Sequence, residues 1–587
     1  MVRISRKLFS ILSEKQKKYT VFIAFFMLFG GIMESLSVSL IMPLVTAIME
    51  TKTWKDTWYA KLICEFTGIN DHRTYIGFLI VALIFVFLFK NGYLAWEYYL
   101  QYSFANKCKY RMQYSLMRDY LYKPYEFYLN SNTGEIIRII NGDTVQAFSV
   151  LENLLIFFTE IVVCVALGIT IFAMSPGISI GIVIVLIIEV LVIAKVIRPK
   201  MVRLGEKQRE ESAIAYQWML QGLDGIKTVK VTRNEQYFLD KYAYYFGDAN
   251  SIDRIYQTLK NMPRLIIEAF TISAVLGAMF IMILMGFEMT SLIPVLSAFV
   301  LAAMRLLPST NRISLVINQM PFLEGGLDNI IKIVNAKDKK DNLEDKSEAN
   351  ENENFKPNIV FNNEVCLNGI TFSYPNSEKK ILDHVFVKIN AKQSVGFIGA
   401  SGGGKTTTVD IILGLLKPDS GAVMVDGCNI RENLEEWLSQ VAYIPQQIFL
   451  IDASIMENIA LGVERQDIDI DRIHEVIYEA QLDELVSSMP NGIDTLIGEH
   501  GVRLSGGQKQ RIGIARALYR KANFLIFDEA TSALDNETEQ AVMESIDHLR
   551  SKKTMVIIAH RLSTIANCDV VYRIENGKII EEKNHEA

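Results

Sequence analysis

The chain has 587 residues, of which 50% are apolar, and its mean hydropathy is positive at +0.20. This length suits two large domains rather than one, and the hydropathy argues against an ordinary soluble enzyme. The net charge of −6 gives no reason to expect a nucleic-acid partner.

Six apolar stretches precede residue 335, and each is long enough to cross a bilayer as a helix. They lie at 20–48, 75–104, 147–174, 176–198, 263–287 and 289–317. The alternative is that two neighbouring stretches form one interrupted helix. We predict a membrane domain of six transmembrane helices over residues 1–335.

Basic residues crowd the start of the chain, so the positive-inside rule places the N-terminus in the cytosol. They are Arg3, Arg6, Lys7, Lys15, Lys17 and Lys18. The polar stretches 105–146 and 199–262 are also rich in Lys and Arg, and alternation of the spans puts both on the same side. We predict that they extend the spanning helices into the cytosol and turn near residues 125–128 and near residues 216–223.

A short segment between the first two spans, residues 54–66, carries apolar residues at a spacing of four. They are Trp54, Trp58, Leu62 and Phe66, with Tyr59 and Ile63 beside them. This pattern predicts an extracytoplasmic helix with aromatic anchors that lies at the membrane interface. The alternative is a loop packed on the helix ends.

Charged residues inside the predicted spans have two interpretations. The acidic ones are Glu34, Glu160, Glu189 and Glu268, and the basic ones are Lys90 and Arg305, with Arg264 at a span end. Because a charge at the bilayer centre costs about 2.5–3.5 kcal/mol on insertion scales, each is expected to face a partner or a wet cavity. The basic residues could pair with the acidic ones as structural ion pairs. Alternatively, Lys90, Arg264 and Arg305 line a cationic cavity that binds the anionic headgroup of a lipid.

Residues 336–357 are dominated by Lys, Asp, Glu and Asn and contain almost no apolar side chains. Such a segment buries too little surface to fold, so we predict a solvated linker without regular structure. Strand-like runs begin around Ile359 and Val365. The second domain is therefore predicted to span residues 358–587.

The second domain contains a phosphate-binding loop. Residues 399–406 follow the pattern G-x-x-x-x-G-K-[ST]. The glycines let backbone N–H groups approach the phosphates, Lys405 reaches the β- and γ-oxygens, and the Thr406 hydroxyl can hold Mg²⁺. The predicted cofactor-binding residues of this loop are Gly399, Ser401, Gly402, Gly404, Lys405, Thr406 and Thr407.

Two further motifs follow the phosphate loop. The apolar run 524–527 indicates a buried strand that delivers Asp528 to the metal, with Glu529 beside it. Upstream of that strand, residues 504–508 read Leu-Ser-Gly-Gly-Gln. A phosphate loop alone occurs in many nucleotide-binding folds, but the three motifs together resemble the ATP-binding cassette (ABC) ATPases. The resemblance covers nearly the whole chain and implies an α/β P-loop ABC ATPase domain fused to a membrane α-helical domain, with ATP and Mg²⁺ as cofactors.

The resemblance also implies roles for single residues. Tyr374 matches the aromatic residue that stacks on adenine, and Gln446 matches the Q-loop glutamine that senses Mg²⁺ and the γ-phosphate. Glu529 matches the general base that orients the attacking water, and His560 matches the switch histidine that contacts the γ-phosphate. Taken alone, an aromatic residue or a histidine would more often be structural. The implied catalytic residues are Glu529, His560 and Gln446, and the implied metal ligands are Thr406, Gln446 and Asp528.

The run Ser505, Gly506, Gly507 and Gln508 is predicted to lie at a helix N-terminus, where N–H groups and the helix dipole can face an anion. In the family, that anion is the γ-phosphate of ATP held by the opposite subunit's phosphate loop. One chain has one phosphate loop and one such run, so we predict a C₂ homodimer. ATP would join the two ATPase domains, and hydrolysis would release them.

The membrane half resembles a narrower group. Residues 35–43, 54–66, 262–264 and 305–312 are similar to bacterial flippases of lipid-linked oligosaccharides, which are homodimeric half-transporters with an external helix between the first two spans. The resemblance implies an anionic lipid substrate flipped across the cell inner membrane, with the N-terminus and the ATPase domain in the cytoplasm. The alternatives are an exporter of drugs, peptides or lipopeptides, and a role without transport, such as an ATP-gated channel.

Overall fold

The computed structural model of the chain divides into two compact units. The residues described are 2–49, 55, 57–69, 71–174, 195, 197–284, 289–348, 358–375, 377, 379–498, 501–529, 536–559 and 562–582. The first unit comprises Met1–Lys123 and Ser131–Glu348, and the second comprises Pro124–Asn130 and Ala349–Ala587. A short turn from the N-terminal half of the sequence therefore belongs to the unit that contains the phosphate loop.

Helices account for the regular structure described before residue 349. In chain order they are α1 (Val2–Ile11), α2 (Glu14–Ser39), α3 (Ile41–Met49), α4 (Trp58–Thr67), α5 (His72–Leu121), α6 (Tyr125–Leu129), α7 (Thr133–Ile137), α8 (Thr144–Met174), α9 (Arg198–Asp224), α10 (Ile226–Thr232), α11 (Glu235–Leu284) and α12 (Met289–Glu348). A π-helical turn, Arg138–Asp143, joins α7 to α8. α5 and α11 have 50 residues each and α12 has 60, far more than the roughly 20 that cross a bilayer.

Three helices in the described part are long and apolar enough to cross a membrane: Glu14–Ser37, His72–Leu121 and Thr133–Ile169. They contain most of the first three predicted stretches. The fourth stretch lies almost wholly outside the described residues. The fifth and sixth fall largely on α11 and α12, between which residues 285–288 also lie outside the described part. The membrane domain is helical, as the sequence predicts.

The basic N-terminus folds into the amphipathic helix α1. Its buried apolar face consists of Ile4 and Leu8, and continues to Leu12. Lys7 Nζ lies 2.6 Å from Glu324 Oε1 and 2.7 Å from Asp328 Oδ1, both on α12. Hydrogen bonds to these two carboxylates raise the pKa of Lys7. These ion pairs therefore fasten α1 to the last helix of its unit.

Two predictions were wrong, one about the second polar extension and one about the charged linker. The sequence places the second turn near residues 216–223, but these residues lie inside α9, and the chain turns at Gly225 and again at Arg233. Arg233 has a left-handed conformation (φ 55°), which ends α10. Of residues 336–357, predicted to lack regular structure, 336–348 continue α12, and 349–357 lie outside the described residues. Lys and Glu are good helix formers, so a helix already nucleated by packed turns can run on through a charged segment.

The second unit is an α/β domain built on two sheets, which confirms the predicted fold class. Its strands are β1 (Glu364–Ser373), β2 (Lys380–Asn390), β3 (Ser394–Ile398), β4 (Ser420–Val425), β5 (Cys428–Asn429), β6 (Val441–Ile444), β7 (Phe524–Asp528), β8 (Thr554–Ile558), β9 (Val570–Glu575) and β10 (Lys578–Glu582). Its helices after α12 are α13 (Lys405–Ile412), α14 (Leu434–Ser439), α15 (Ile455–Ile459), α16 (Ile470–Glu479), α17 (Asp483–Ser488), α18 (Gly506–Tyr519), α19 (Asn536–Asp547) and α20 (Leu562–Ile565).

The larger sheet brings the sequence motifs to one edge. Its strand order is β10-β9-β3-β8-β7-β6, and all neighbours except β10 and β9 are parallel. The smaller sheet, of order β2-β1-β4-β5, is antiparallel. Every residue of β3, β7 and β8 is buried, as expected for parallel strands covered on both faces. Because parallel strands end at the same edge, the loops after β3, β6 and β7 meet there.

Aromatic packing fixes the helix that follows the phosphate loop. Trp437 and Phe524 are fully buried, and their ring centroids are 5.4 Å apart. Trp437 Nε1 donates a hydrogen bond to the backbone oxygen of Ile412 at 2.9 Å, so its polar atom is satisfied. The C-terminal end of α13 is therefore held against the core of the unit.

Candidate functional site

The phosphate loop, residues 399–404, connects β3 to α13. Gly399 and Gly404 have φ angles of 146° and 106°, which glycine adopts without strain. A Cβ atom at Gly399 would also collide with the backbone oxygen of Ile574. Helix α13 begins at Lys405, so the positive end of its dipole faces the loop. Backbone N–H groups and a helix N-terminus thus converge on one point, which is an arrangement that binds phosphate.

Lys405 is buried, and its ammonium lies inside the phosphate loop. Nζ donates to the backbone oxygens of Gly399 at 2.9 Å and of Ala400 at 3.1 Å. The predicted loop residues that are exposed to solvent are Ser401, Gly402 and Thr406. The loop therefore holds a positive charge at its centre, with accessible backbone and hydroxyl groups around it.

The residue predicted to stack on adenine is linked to the same helix. Tyr374 Oη lies 3.0 Å from Thr407 Oγ1, and its ring packs edge-on against Phe372 with centroids 5.1 Å apart. Thr407 is buried, so its hydroxyl supports Tyr374 from within the unit. Tyr374 is held at a fixed place beside the start of α13, where an aromatic ring can stack on a nucleotide base.

Asp528, the last residue of β7, is buried and hydrogen-bonded. Its Oδ2 accepts from the Tyr443 hydroxyl at 2.9 Å, and Tyr443 lies on the neighbouring parallel strand β6. Burial, followed by the charge of Asp528, raises the pKa of Tyr443, so the hydroxyl keeps its proton and acts as the donor. Sequence reasoning missed Tyr443, although it stands only three residues before Gln446. The bond restricts the orientation of the Asp528 carboxylate.

Glu529 and Gln446, predicted as base and sensor, are in direct contact. Gln446 Nε2 donates to Glu529 Oε2 at 2.9 Å. Glu529 has a positive φ of 50°, and its N–H donates to the backbone oxygen of Ile558 at 3.0 Å. A residue with a side chain rarely adopts such a φ, and such residues cluster at functional sites. The backbone therefore aims Glu529 out of the sheet edge toward Gln446.

A further carboxyl group, Asp410 on α13, interacts with Asp528. Burial, followed by the charge of Asp528, raises the pKa of Asp410 to about 6. A cation at Asp528 would offset this repulsion. Magnesium prefers one or two carboxylates together with substrate phosphates and water. The oxygens of Asp528, Thr406 and Gln446 fit that requirement.

Residues 504–508 lie where α18 begins, as the sequence predicts. Ser505 caps the helix: its Oγ accepts from the Gln508 N–H at 3.3 Å, and Gln508 Oε1 accepts from the Ser505 N–H at 2.8 Å. This reciprocal capping explains the two polar residues of the motif, while Gly506 and Gly507 leave the first two helical positions without side chains. Ser505 and Gly506 are exposed on the single chain, so a second molecule can reach the N-terminus of α18.

One face of α18 holds the segment around Gln446, a contact that sequence reasoning missed. Gln510 Nε2 donates to the backbone oxygen of Gln446 at 2.8 Å, and Arg516 Nη1 donates to that of Phe449 at 2.9 Å. Between them, a Cβ atom at Gly513 would lie 2.6 Å from an isoleucine methyl of the same segment. The spacing of three residues puts all three on one helix face, and this periodicity is the signal that could have revealed the contact.

The first turn between long helices lies at the predicted place. α5 ends at Leu121 and α6 begins at Tyr125. Glu126 Oε1 accepts a hydrogen bond from the backbone N–H of Lys417 at 2.8 Å. Burial, followed by the charge of Asp410, raises the pKa of Tyr125. The turn therefore contacts the region of α13, the helix that starts at the phosphate loop.

For three predicted site residues the structure does not describe the position of the side chain. His560 lies outside the described residues, as do the side chains of Arg264 and Arg305. Lys90 is described and buried, and its Nζ lies 3.1 Å from Glu34 Oε1. Of the two interpretations of Lys90, the internal ion pair is the one present in the structure.

A second ion pair among the membrane helices was not predicted. Arg312 Nη1 lies 2.5 Å from Glu160 Oε1 and also donates to Tyr98 Oη at 3.2 Å. Both charged residues are evident in the sequence, but the contact between the faces of α8 and α12 that carry them could not be predicted from it. Together with Glu34 and Lys90, this pair accounts for charges that would otherwise be costly at membrane depth.

Comparison with known proteins identifies both units. The ABC transporter transmembrane region matches residues 20–304, and the ABC transporter family matches residues 382–532. The ATP-dependent lipid A-core flippase of Desulfotalea psychrophila is 31% identical over 493 residues, covering 81% of this chain and 82% of that protein. ATP-binding cassette sub-family B member 5 of Mus musculus is 42% identical over 219 residues, or 37% of this chain. The chain spans 18% of that protein's length. ABC transporter B family member 21 of Arabidopsis thaliana is 40% identical over 224 residues, and the chain spans 17% of its length.

A solved structure has the same fold over nearly the whole length. The structure of a bacterial Atm1-family ABC exporter with ATP bound matches with a TM-score of 0.74, covers 96% of this chain and 95% of its own, and is 21% identical. At this identity the likeness concerns the fold alone, which is that of an ABC exporter. The chain therefore belongs to the ABC transporter family and joins a helical transmembrane domain to an ABC ATPase domain.

Proposed function

We propose that the protein is a homodimeric, ATP-driven flippase for a lipid with an anionic headgroup. The ATPase unit offers a phosphate loop with Lys405 for the triphosphate and Asp528 for Mg²⁺. When bound, Mg²⁺ neutralises charge that develops on the phosphates. Glu529 would orient the attacking water, and Gln446 would follow the metal and the γ-phosphate. The direct contact between these last two side chains supports assigning both to one hydrolytic site.

Pairing of two chains is supported by the exposed N-terminus of α18. A capped helix start with two glycines has N–H groups available for an anion, and the dipole favours negative charge there. The triphosphate on a second copy's phosphate loop supplies such an anion. In a two-fold symmetric dimer, the α18 N-terminus of each copy would face the phosphate loop of the other copy, which gives two equivalent sites.

A lipid substrate is favoured by one observation, the exposed apolar face of α4. Tyr59 and Ala60 pack against the ends of the neighbouring helices, where Ala60 is fully buried. Beside these packed residues, Leu62 and Phe66 are 51% and 85% exposed. A helix that is anchored by part of its apolar surface and exposes the rest suits contact with acyl or polyprenyl chains at the membrane surface. Trp54 and the side chain of Trp58 lie outside the described residues.

For the headgroup we propose a pyrophosphate, as in a lipid-linked oligosaccharide. Arg264 and Arg305 are the predicted cations for it, while the charge of Lys90 is already matched by Glu34. The relative with 82% of its length matched is named a lipid A-core flippase, which supports lipid transport in general. The proposed location is the cell inner membrane, with the ATPase domain in the cytoplasm.

Liposomes that contain the full-length protein and a fluorescent, pyrophosphate-linked polyprenyl sugar would test the proposal. We expect ATP-dependent movement of the lipid between leaflets, and its loss in Glu529→Gln. Phe66→Ser should reduce lipid movement while ATP hydrolysis continues, because the change removes only an exposed apolar contact. Tyr478→Ser, at an exposed aromatic residue of the ATPase unit, is the matched control. ATP hydrolysis that responds to drugs or peptides but not to this lipid would support the exporter alternative instead.

A further inference from the structure

A group of polar side chains lies among helices α2, α5, α8 and α12, which we call the intramembrane polar cluster. Its members are Glu34, Lys90, Glu97, Gln101, Thr159, Glu160 and Arg312. It contains three carboxyl groups and two cations. Glu34 is paired with Lys90 at 3.1 Å, and Glu160 with Arg312 at 2.5 Å. Both cations of the cluster are therefore paired with other carboxyl groups, and neither is paired with the third, Glu97.

Glu97 is 0% exposed, and only one of its oxygens is hydrogen-bonded. Oε1 accepts from Gln101 Nε2 at 2.9 Å. Oε2 is also buried and has no hydrogen-bond partner in the part of the chain that the structure describes. It rests against Gly30 of α2, where an added Cβ atom would collide with it. The second oxygen therefore faces the Cα of a helix whose N–H groups bond within that helix.

Such a place is unfavourable for a negative charge. An ionised carboxylate would lose its hydration without gaining a cation. The charges of Glu34 and Glu160 act on Glu97, and both are negative. Gln101 Nε2 also donates to Thr159 Oγ1 at 3.4 Å, so both N–H groups of the amide are used and none is left for Glu97 Oε2. A neutral carboxyl group, in contrast, has far less hydration to lose. Its O–H would have no acceptor among the described residues, but an unpaired hydroxyl costs much less to bury than an unpaired charge.

We propose that Glu97 is a proton-binding site of the membrane domain, whose carboxyl group carries a proton at neutral pH in this conformation. With that proton bound, the cluster contains two carboxylates and two cations, and its charges balance. The site belongs to the membrane domain and does not depend on the identity of the transported molecule.

The stability of the membrane domain should then depend on pH. The titratable groups whose charges act on Glu97 or respond to it are Glu34 from α2, Tyr93 from α5 and Glu160 from α8. Lys90 of α5 pairs with Glu34, while Arg312 of α12 pairs with Glu160 and also contacts Tyr98. At neutral pH the folded domain holds a proton that the unfolded chain releases. Raising the pH therefore favours the unfolded chain, and the folded domain loses stability.

Infrared spectroscopy of the full-length protein in lipid nanodiscs detects a protonated carboxyl group by a C=O stretch that shifts in deuterated water. We expect this band in the wild type at neutral pH and its loss in Glu97→Gln. Glu34→Gln is the matched control, since it removes a carboxyl group of the same cluster that is paired with Lys90, and it should keep the band. Retention of the full band in Glu97→Gln would overturn the proposal.

Thermal unfolding provides a second readout that does not need the band to be resolved. Glu97→Gln exchanges one neutral group for another of the same size, so its midpoint should stay within about 2 °C of the wild type. Glu34→Gln leaves the Lys90 charge buried and unpaired, and its midpoint should fall by about 5 °C or more. Between about pH 5 and about pH 7 the wild-type midpoint should fall relative to that of Glu97→Gln, because the unfolded chain releases the Glu97 proton in this range while the folded domain keeps it. If Glu97→Gln loses as much stability as Glu34→Gln, Glu97 is ionised and the proposal is wrong.

Discussion

Replacing Lys90 with methionine tests whether its contact with Glu34 is structural. The charged atoms are 3.1 Å apart, and the side chains of Lys90 and Glu34 are 7% and 2% exposed. At an effective dielectric constant near 20, their attraction is roughly 5 kcal/mol, from which the lost hydration of both charges must be subtracted. Lys90→Met leaves Glu34 buried without a cation, and breaking such a pair costs about 3–5 kcal/mol. Removing both charges, in Glu34→Gln with Lys90→Met, should recover most of this loss.

Thermal unfolding and lipid flipping by the full-length protein in liposomes would be measured for both variants. Lys90→Met should lower the unfolding midpoint, and the double variant should restore both the midpoint and the flipping. Lys207→Met, at an exposed lysine of α9, is the control and should change neither. If Lys90→Met unfolds like the wild type but does not flip lipid, and the double variant stays inactive, Lys90 contacts the substrate. The structural assignment would then be refuted.

Three further substitutions probe the ATPase unit. Glu529→Gln should leave ATP bound in a stable dimer, because Glu529 orients water and does not hold the nucleotide; gel filtration with bound radioactive ATP measures this. Asp410→Asn should stabilise the ATPase unit at neutral pH. The pKa of Asp410 is raised from the ordinary value of 3.8 to about 6. Wild-type stability therefore falls as the pH rises from about 4 to about 6, by up to roughly 3 kcal/mol, a loss that unfolding midpoints against pH would detect. Tyr443→Phe should raise the Mg²⁺ concentration for half-maximal ATP hydrolysis several-fold, because Asp528 loses the hydroxyl that orients it.

Each of these three predictions has an outcome that contradicts it. Normal turnover by Glu529→Gln would remove Glu529 from the role of base. An unfolding midpoint that depends on pH equally in Asp410→Asn and in the wild type would show that Asp410 is not the titrating group. For Tyr443→Phe, the control is Tyr478→Phe at an exposed position of the same unit; equal Mg²⁺ requirements in both would rule out the proposed orientation of Asp528.

The short motifs of the ATPase unit could be predicted because their chemistry is confined to contiguous residues. Glycines at 399 and 404 are required by backbone angles, and Ser505 with Gln508 forms a cap within one helical turn. Both requirements act over a few residues and leave a recognisable pattern. The position of the first turn, near residues 125–128, could be predicted for the same reason, since a proline and aromatic residues interrupt the helical pattern there.

Contacts between distant elements could not be predicted from one sequence. Glu97 stands in an apolar stretch like other charged residues, and its missing cation becomes evident only when α2, α5 and α8 pack together. Tyr443 meets Asp528 because β6 and β7 are adjacent in the sheet, although 85 residues separate them. The end of α12 was misjudged for a different reason. Charged residues at 336–348 give no apolar periodicity, yet they prolong a helix that neighbouring residues have already nucleated.

Helix α5 has 50 residues and is therefore about 75 Å long at 1.5 Å per residue. The hydrocarbon layer it crosses is only about 30 Å thick, so about 45 Å of the same rod extends past the lipid. Tilting that rod by about 10° at the bilayer surface would move its far tip by about 8 Å. With its pivot at the bilayer surface, the helix acts as a lever: a shift of about 5 Å at its intramembrane end corresponds to about 8 Å at the far tip.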